Sequence, residues 1–133
     1  MKKTPLKRYN KKSKEDRKEE RKDFPDFFKR HIEKIQNNKI SCEECGNKLQ
    51  GHVSEVAHVL PKQYFKSISI DDNNVLYLCG MYSENQCHSN FDNWPQQKVK
   101  QMRVFSKICQ IYEELKSKIT EKINYKVDER YTC

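Results

Sequence analysis

The fold is decided by residues 42–92, which contain CEEC at 42–45, AHVLPK at 57–62, NNVLYLC at 73–79 and CHSNFD at 87–92. This stretch holds two cysteine pairs, three of the four histidines of the chain and a run of asparagines. Cysteine and histidine are the residues that most often hold metal ions in proteins. The stretch therefore predicts one zinc-stapled unit built around a histidine-rich site.

The four cysteines of this stretch have the order expected of a metal site. Cys42 and Cys45 form a C-x2-C pair, and 33 residues separate them from the C-x7-C pair of Cys79 and Cys87. Four thiolates suit a closed tetrahedral zinc site, and Gly46 allows the sharp turn of a metal-binding knuckle. The second pair is wider than the usual spacing of about two to four residues. We predict structural zinc, with disulfides or unpaired thiols as the alternative.

Length and composition indicate one small domain with extensions. The chain has 133 residues, of which only 35% are hydrophobic, so its core needs a staple such as a metal site. The first twelve residues, MKKTPLKRYNKK, lack the apolar segment of a signal peptide. No run approaches the roughly 18 apolar residues of a membrane span. We therefore expect a protein of the reducing cytoplasm, with no membrane partner.

Positive charge is concentrated at the start of the chain. Residues 1–30 contain 13 lysines and arginines against 6 aspartates and glutamates, a net charge of +7 out of +8 for the whole chain. Such asymmetry favours a polyanionic partner, with nucleic acid ahead of an acidic membrane. A solvated, disordered tail is the alternative. The predicted nucleic-acid contacts in this tail are Lys2, Lys3, Lys7 and Arg8.

The hydrophobic pattern predicts an α+β fold. A helix is expected at 27–36, strands at 52–60 and 74–78, a short helix beginning at 87–93, and a long amphipathic helix at 96–122. The last helix is expected to pack on the core, and a dimerisation helix is the alternative. The predicted domain organisation is a basic tail at 1–23, a zinc-stapled core with its leading helix at 24–95, and a C-terminal amphipathic helix and tail at 96–133.

Four polar residues of the central stretch predict a reaction. His58 lies within an apolar strand, where a lone histidine is more often a packing residue, but Asn74 and the pair His88 and Asp92 accompany it. A histidine held by an amide can act as a general base on water. Histidine and aspartate four residues apart on one helix face can hold a divalent ion that polarises a phosphate. Together with the basic tail, these residues predict metal-assisted hydrolysis of phosphodiester bonds.

Residues 40–94 resemble the HNH nuclease family, whose ββα-metal core often carries a four-cysteine zinc site. The resemblance rests on C-x2-C, AHVLPK, NNVLYLC and CHSNFD. It implies that His58 is the general base, that Asn74 orients it, that His88 binds the catalytic metal, and that Asp92 supplies a further ligand. The basic amino terminus is similar, more weakly, to those of phage-encoded members. From its charge alone, Lys62 is expected to contact phosphate.

Two departures from the family pattern bear on these expectations. Many members have aspartate or histidine just before the base as a metal ligand, whereas this chain has Ala57. Asp92, Glu55 or a substrate oxygen then completes the coordination, or catalysis is weakened or lost. The C-x7-C pair is also five residues longer than the commonest form, which should lengthen a zinc loop without moving the strands.

Two functions follow as hypotheses. The first is a DNA endonuclease with a small ββα-metal (HNH) core, structural Zn²⁺, and Mg²⁺ or another divalent metal at the catalytic site. The second is a non-catalytic, zinc-containing nucleic-acid-binding or adaptor protein on the same scaffold. The expected partners are DNA, a phage protein, and a second copy of the chain through the C-terminal helix. The expected location is the cytoplasm of a bacterial host cell.

Overall fold

A computed structural model describes residues 14, 15, 18, 22–122 and 131. The helices and strands are α1 (Phe24–Asn38), β1 (Val56–His58), β2 (Val75–Tyr77), α2 (Cys87–Asn93), α3 (Gln96–Val99) and α4 (Phe105–Leu115). Helices and a small antiparallel sheet make this an α+β fold, as predicted. The basic contacts expected in the tail lie outside the described residues, namely Lys2, Lys3, Lys7 and Arg8.

The sheet has two strands, which pair antiparallel with His58 opposite Val75. Both strands are shorter than predicted, and the first differs most, because Val53–Glu55 form a 3-10 turn before β1 begins. The carboxylate of Glu55 accepts backbone N–H groups from residues 50–52, which bends the chain at this point. Of the predicted strand at 52–60, only residues 56–58 are strand.

Helix α1 extends beyond the predicted 27–36 at both ends. Pro25 lies in its first turn, where the missing N–H of proline costs no hydrogen bond. The helix ends at Asn38, and the next residue, Lys39, is left-handed with φ 50° and donates its N–H to the carbonyl of Ile35. One face of α1 is buried against the sheet and carries Phe27, His31 and Ile35.

The predicted continuous helix at 96–122 is wrong. Helix α3 ends at Val99, and α4 begins at Phe105. Between them, the Glu44 carboxylate accepts the backbone N–H groups of Arg103 at 3.1 Å and Val104 at 3.0 Å. This side chain takes the place of the intrahelical acceptors, so the helix restarts at this point.

The apolar stripe of the C-terminal segment packs into the core of its own chain, as expected from its periodicity. Its buried members are Val99, Met102, Ile108, Tyr112 and Leu115. They share one core with the sheet, helix α1 and the loop between the strands. Within the described ranges, no helix combines the length and apolar character needed to span a bilayer.

Candidate metal centre and active site

The four cysteines Cys42, Cys45, Cys79 and Cys87 converge on one point. Their sulfur atoms all lie within 4.8 Å of one another, and none of the four is in a disulfide. The Sγ atoms of Cys45 and Cys79 are 3.9 Å apart. In a tetrahedral zinc site with bonds of about 2.3 Å, sulfur atoms lie about 3.8 Å apart. The cluster therefore fits a metal ion such as zinc.

Backbone N–H groups point at two of the four sulfurs. The N–H of Cys45 donates to Sγ of Cys42 at 3.4 Å, and the N–H of Cys87 donates to Sγ of Cys79 at 3.3 Å. Gly46 has φ 84°, a conformation that lets the chain reverse directly after the first pair. These donors stabilise negative charge on the sulfurs, which is the ionisation state that a metal requires.

In the absence of a cation, the thiols of the cluster have pKa values that are shifted in different directions. Burial raises the pKa of Cys42, and burial together with the Cys79 side chain raises the pKa of Cys87. Burial acts in the same direction on Cys45, but hydrogen bonds from the Asn85 side chain and other groups outweigh it and lower the pKa of Cys45 to about 7. One thiolate thus forms first and opposes ionisation of its neighbours. A divalent ion would remove that repulsion.

His58 lies at the end of β1, and a backbone carbonyl fixes the position of its proton. Its Nε2 lies 2.7 Å from the carbonyl oxygen of Ser69. Because a carbonyl can only accept, Nε2 carries the proton of the neutral ring and Nδ1 keeps a lone pair. Burial is the main cause that lowers the pKa of His58, and the positive charge of Lys62 acts in the same direction. His58 is therefore neutral at pH 7 and has a nitrogen available to accept a proton.

Three phenylalanines of α1 enclose the His58 ring. Phe27 stacks on it with a centroid distance of 5.2 Å and an interplanar angle of 24°, while Phe24 and Phe28 lie 6.3 and 5.8 Å away. The ammonium group of Lys62 lies over the rings of Phe24 and Phe28, at 5.1 and 5.8 Å. Helix α1 thus positions both the imidazole and a cation.

His88 lies at the start of α2, and both of its ring nitrogens face oxygen atoms. Its Nδ1 donates to the carbonyl of Ser54 at 2.5 Å, and its Nε2 lies 3.1 Å from the Asp92 carboxylate. Burial lowers the pKa of His88, but the Asp92 and Ser54 oxygens outweigh burial and raise it overall. His88 and Asp92 therefore share a proton, and the two side chains lie close enough together to bind one cation.

One cleft of about 670 Å³ brings four of the predicted site residues together. Its walls include His58, Lys62, His88 and Asp92. The cleft is open to solvent, and Ser54 lies in the same wall as the His88 pair. Two histidines, a carboxylate and a lysine therefore face the same space.

Asn74 occupies a different position from the other predicted residues. Its side chain is fully buried, its Oδ1 accepts the N–H of Leu60 at 2.7 Å, and its Nδ2 donates to the carbonyl of Leu60 at 3.0 Å. A longer bond of 3.4 Å reaches the carbonyl of Ile68, next to the Ser69 carbonyl that holds His58. The Asn74 amide thus bonds to the backbone of Leu60, two residues after His58, and to that of Ile68, next to the residue that holds the His58 ring. The contact between Asn74 and His58 is therefore indirect.

Neither Ala57 nor Glu55 adds a ligand to the cleft. Ala57 is fully buried in the core. Both carboxylate oxygens of Glu55, which is 6% exposed, accept backbone N–H groups of residues 50–52. Of the alternatives weighed from the sequence, three remain: coordination by Asp92, coordination by a substrate oxygen, and weakened or lost catalysis.

His31, to which the sequence assigned no role, is a buried packing histidine. Its Nε2 lies 3.1 Å from the Asp72 carboxylate, and its Nδ1 lies 2.7 Å from the Tyr77 hydroxyl. Burial is the main cause that lowers the pKa of His31, and burial also raises the pKa of Tyr77 to about 12. Both side chains therefore stay neutral and tie α1 to β2.

Sequence reasoning missed the groups that orient the two site histidines. Ser69 and Ser54 act through backbone carbonyls, which leave no signature in residue type. Phe27, by contrast, belongs to the aromatic run FPDFF at 24–28, which is visible in the sequence. Its stacking on His58 depends on a contact between segments far apart in the chain.

Comparison with known proteins identified no relative of this chain. No family model matches the chain, and no curated protein or solved structure is significantly similar to it. The resemblance to the HNH family stays a prediction that rests on the residues quoted above.

Proposed function

We propose that the protein is a metal-dependent DNA endonuclease of the HNH type. The observation that carries this proposal is the cleft shared by a neutral histidine, His58, and the metal-ligand pair of His88 and Asp92. Hydrolysis of a phosphodiester needs a base for water and positive charge at the phosphate. Lys62 adds a cation to the same cleft.

His58 has the properties of the general base. Its Nδ1 lone pair would accept a proton from the attacking water, while Nε2 stays bonded to the Ser69 carbonyl. That carbonyl also stabilises the imidazolium ion that forms. The ring is held on its face by Phe27, so it need not reorient during the reaction. Lys62 would hold a phosphate oxygen.

His88 and Asp92 would hold the catalytic divalent metal. Bound there, the ion would supply Lewis-acid stabilisation of the phosphate and the leaving oxygen. Among the described residues, only the four-cysteine cluster brings three or more ligand groups together, so this pair offers two. Mg²⁺ commonly binds through one or two carboxylates, waters and substrate phosphates. We infer that the ion binds tightly only when DNA is present.

The four-cysteine cluster would hold structural zinc. Its donors are all thiols, which suit zinc and exclude Mg²⁺ as the preferred ion. Cys79 follows β2, and Cys87 begins α2. Zinc at this point would therefore fix the helix that presents His88 relative to the strand pair that presents His58.

Plasmid cleavage tests the proposal. Purified, zinc-loaded protein is incubated with supercoiled plasmid and Mg²⁺, Mn²⁺ or Ni²⁺, and an arm without added divalent metal or chelator is the control. We expect metal-dependent nicking that is lost in His58→Ala and strongly reduced in Asp92→Asn. Asp26→Asn makes the same chemical change at an exposed position on α1, and it should cleave like wild type.

DNA binding without cleavage across all metals would overturn the endonuclease. That outcome would favour the second candidate, a non-catalytic nucleic-acid-binding or adaptor protein. The observation in its favour is Ala57, which is buried where a metal ligand is expected. Zinc content and thermal melting of each variant separate a lost reaction from a lost fold.

A further inference from the structure

Exposed apolar side chains gather around the cleft. The described residues have five exposed large hydrophobic side chains, namely Val53, Tyr64, Ile70, Met81 and Tyr82. Val53 and Tyr64 line the cleft itself. Met81 and Tyr82 belong to the zinc loop, residues 80–86, between the last two cysteines of the cluster. We call Val53, Tyr64, Met81 and Tyr82 the rim patch.

The zinc loop is fastened to the cleft wall. The N–H of Met81 donates to Oγ of Ser54 at 3.1 Å, and Ser54 also supplies the carbonyl that holds His88. A Cβ at Gly80 would lie 2.0 Å from Ser54 Oγ and 2.9 Å from its backbone carbon, so only glycine allows this approach. The additional residues of the C-x7-C pair therefore lie beside the candidate catalytic centre.

Tyr82 is held in place and yet exposed. Its ring meets the His52 ring edge-on, with centroids 5.0 Å apart and an interplanar angle of 84°. The Nδ1 of His52 in turn accepts the N–H of Ser54 at 3.0 Å, which anchors the imidazole to the cleft wall. Tyr82 nevertheless remains 68% exposed, and Tyr64 in the cleft is 56% exposed. Two aromatic rings are thus presented to solvent on an ordered framework.

A lysine and exposed aromatic rings at one cleft suit a ligand with both phosphates and flat apolar faces. Lys62 lies in the cleft with Tyr64, and the chain as a whole carries a net charge of +8. In duplex DNA the faces of the bases are stacked on each other, and only unpaired bases offer them to a protein. Exposed aromatic rings beside a positively charged groove are the usual means of binding single strands.

We propose that Tyr82 and Tyr64 stack on unpaired bases next to the cleft, so that the preferred substrate is DNA with a single-stranded segment. The assignment of the cleft to nucleic acid rests on the proposed function. The binding itself requires neither hydrolysis nor the catalytic metal. The long zinc loop then serves to carry Tyr82 to the substrate.

Fluorescence anisotropy in a buffer without added Mg²⁺, Mn²⁺ or Ni²⁺, and without chelator, tests this proposal with the zinc-loaded, full-length chain. The probes are a labelled single-stranded oligonucleotide of mixed sequence and the corresponding duplex. Loss of one stacked base costs about 1–3 kcal/mol, so Tyr82→Ser and Tyr64→Ser should each weaken single-strand binding by about fivefold to a hundredfold. Duplex binding should not change. Tyr82→Phe keeps the aromatic face and should bind like wild type.

Two results would overturn the proposal. In the first, Tyr82→Ser and Tyr64→Ser bind the single strand with the same affinity as wild type. That result is expected if the rim patch contacts a protein instead. The other is an equal loss for single strand and duplex. The outcome is independent of cleavage, because a chain that cuts no plasmid can still lose single-strand binding in these variants. Conversely, duplex cleavage with unaltered single-strand binding would refute only the stacking.

Discussion

The two histidines of the cleft donate to backbone carbonyls from opposite ring nitrogens. His58 donates from Nε2 to Ser69, and His88 donates from Nδ1 to Ser54. The other nitrogen of His58, Nδ1, keeps a lone pair, whereas Nε2 of His88 shares a proton with the Asp92 carboxylate and would release it to bind a metal. In the proposed reaction, the two histidines would therefore have different tasks, one as a base for water and one as a metal ligand.

The pH dependence of cleavage should report His58. Its pKa lies below the usual 6.5, mainly because of burial, and the neutral form is the active base. At saturating Mg²⁺, where the proton on His88 no longer competes with the metal, the rate should rise with pH along an acid limb whose midpoint lies below 6.5, and then reach a plateau. A pH–rate profile measures this. An acid limb centred above 6.5 would contradict the assignment.

Lys62 provides a check on that pH–rate profile. Its positive charge lowers the pKa of His58, so Lys62→Met should shift the acid limb to higher pH. Loss of the phosphate contact should also raise KM for DNA. An unshifted limb would show that Lys62 does not act on His58 electrostatically.

Asn74→Ala should reduce stability as well as activity. The substitution leaves the buried N–H and carbonyl of Leu60 without their partners, at a cost of about 2–4 kcal/mol. Urea denaturation measures the free energy of unfolding, and Asn73→Ala, at an exposed neighbouring position, serves as the control. Unchanged stability with lost cleavage would instead place the Asn74 amide in the reaction itself.

At the scale of elements, the sequence pattern predicted the helices that depend on residues close together in the chain. The short helix α2 spans 87–93, as expected from the sequence. The long C-terminal helix was predicted as continuous because its apolar stripe is continuous. Its interruption depends on Glu44, about 60 residues away in the chain, whose carboxylate accepts N–H groups at 103 and 104. Hydrophobic periodicity carries no information about such a contact.

Glu44→Ala should destabilise the protein by about 0.5–2 kcal/mol, the range for loss of a helix N-cap. The substitution removes the acceptor for the backbone N–H groups of Arg103 and Val104. Thermal or urea unfolding measures the effect. Glu113→Ala removes an exposed carboxylate from α4 itself and should change stability far less. Equal effects of the two substitutions would contradict the capping role of Glu44.

At the scale of the whole molecule, the four-cysteine cluster connects the segments that carry the cleft. The sequence identified all four ligands from spacing alone, and it also named His58, His88 and Asp92 of the cleft. The sequence did not predict the contacts of Asn74, because the partners of that amide are backbone groups at 60 and 68. The predicted dimer stays a prediction, since a single chain does not test it.

Loss of zinc should unfold the protein. Structural zinc contributes about 10–16 kcal/mol in zinc-finger peptides, against a total stability of about 5–15 kcal/mol for a typical domain. Cys42→Ser, or a strong chelator, should therefore abolish the folded circular dichroism spectrum and release one zinc ion per chain. A folded, active protein without zinc would reject the metal staple.

Chemical rescue of His58→Ala tests the account most directly. The proposal predicts that Mg²⁺-dependent cleavage falls by about 10²–10⁴-fold in this variant, as expected for loss of a general base. Added imidazole should restore part of the rate, with a pH dependence that follows imidazole itself. Wild-type cleavage by His58→Ala without imidazole would contradict the account.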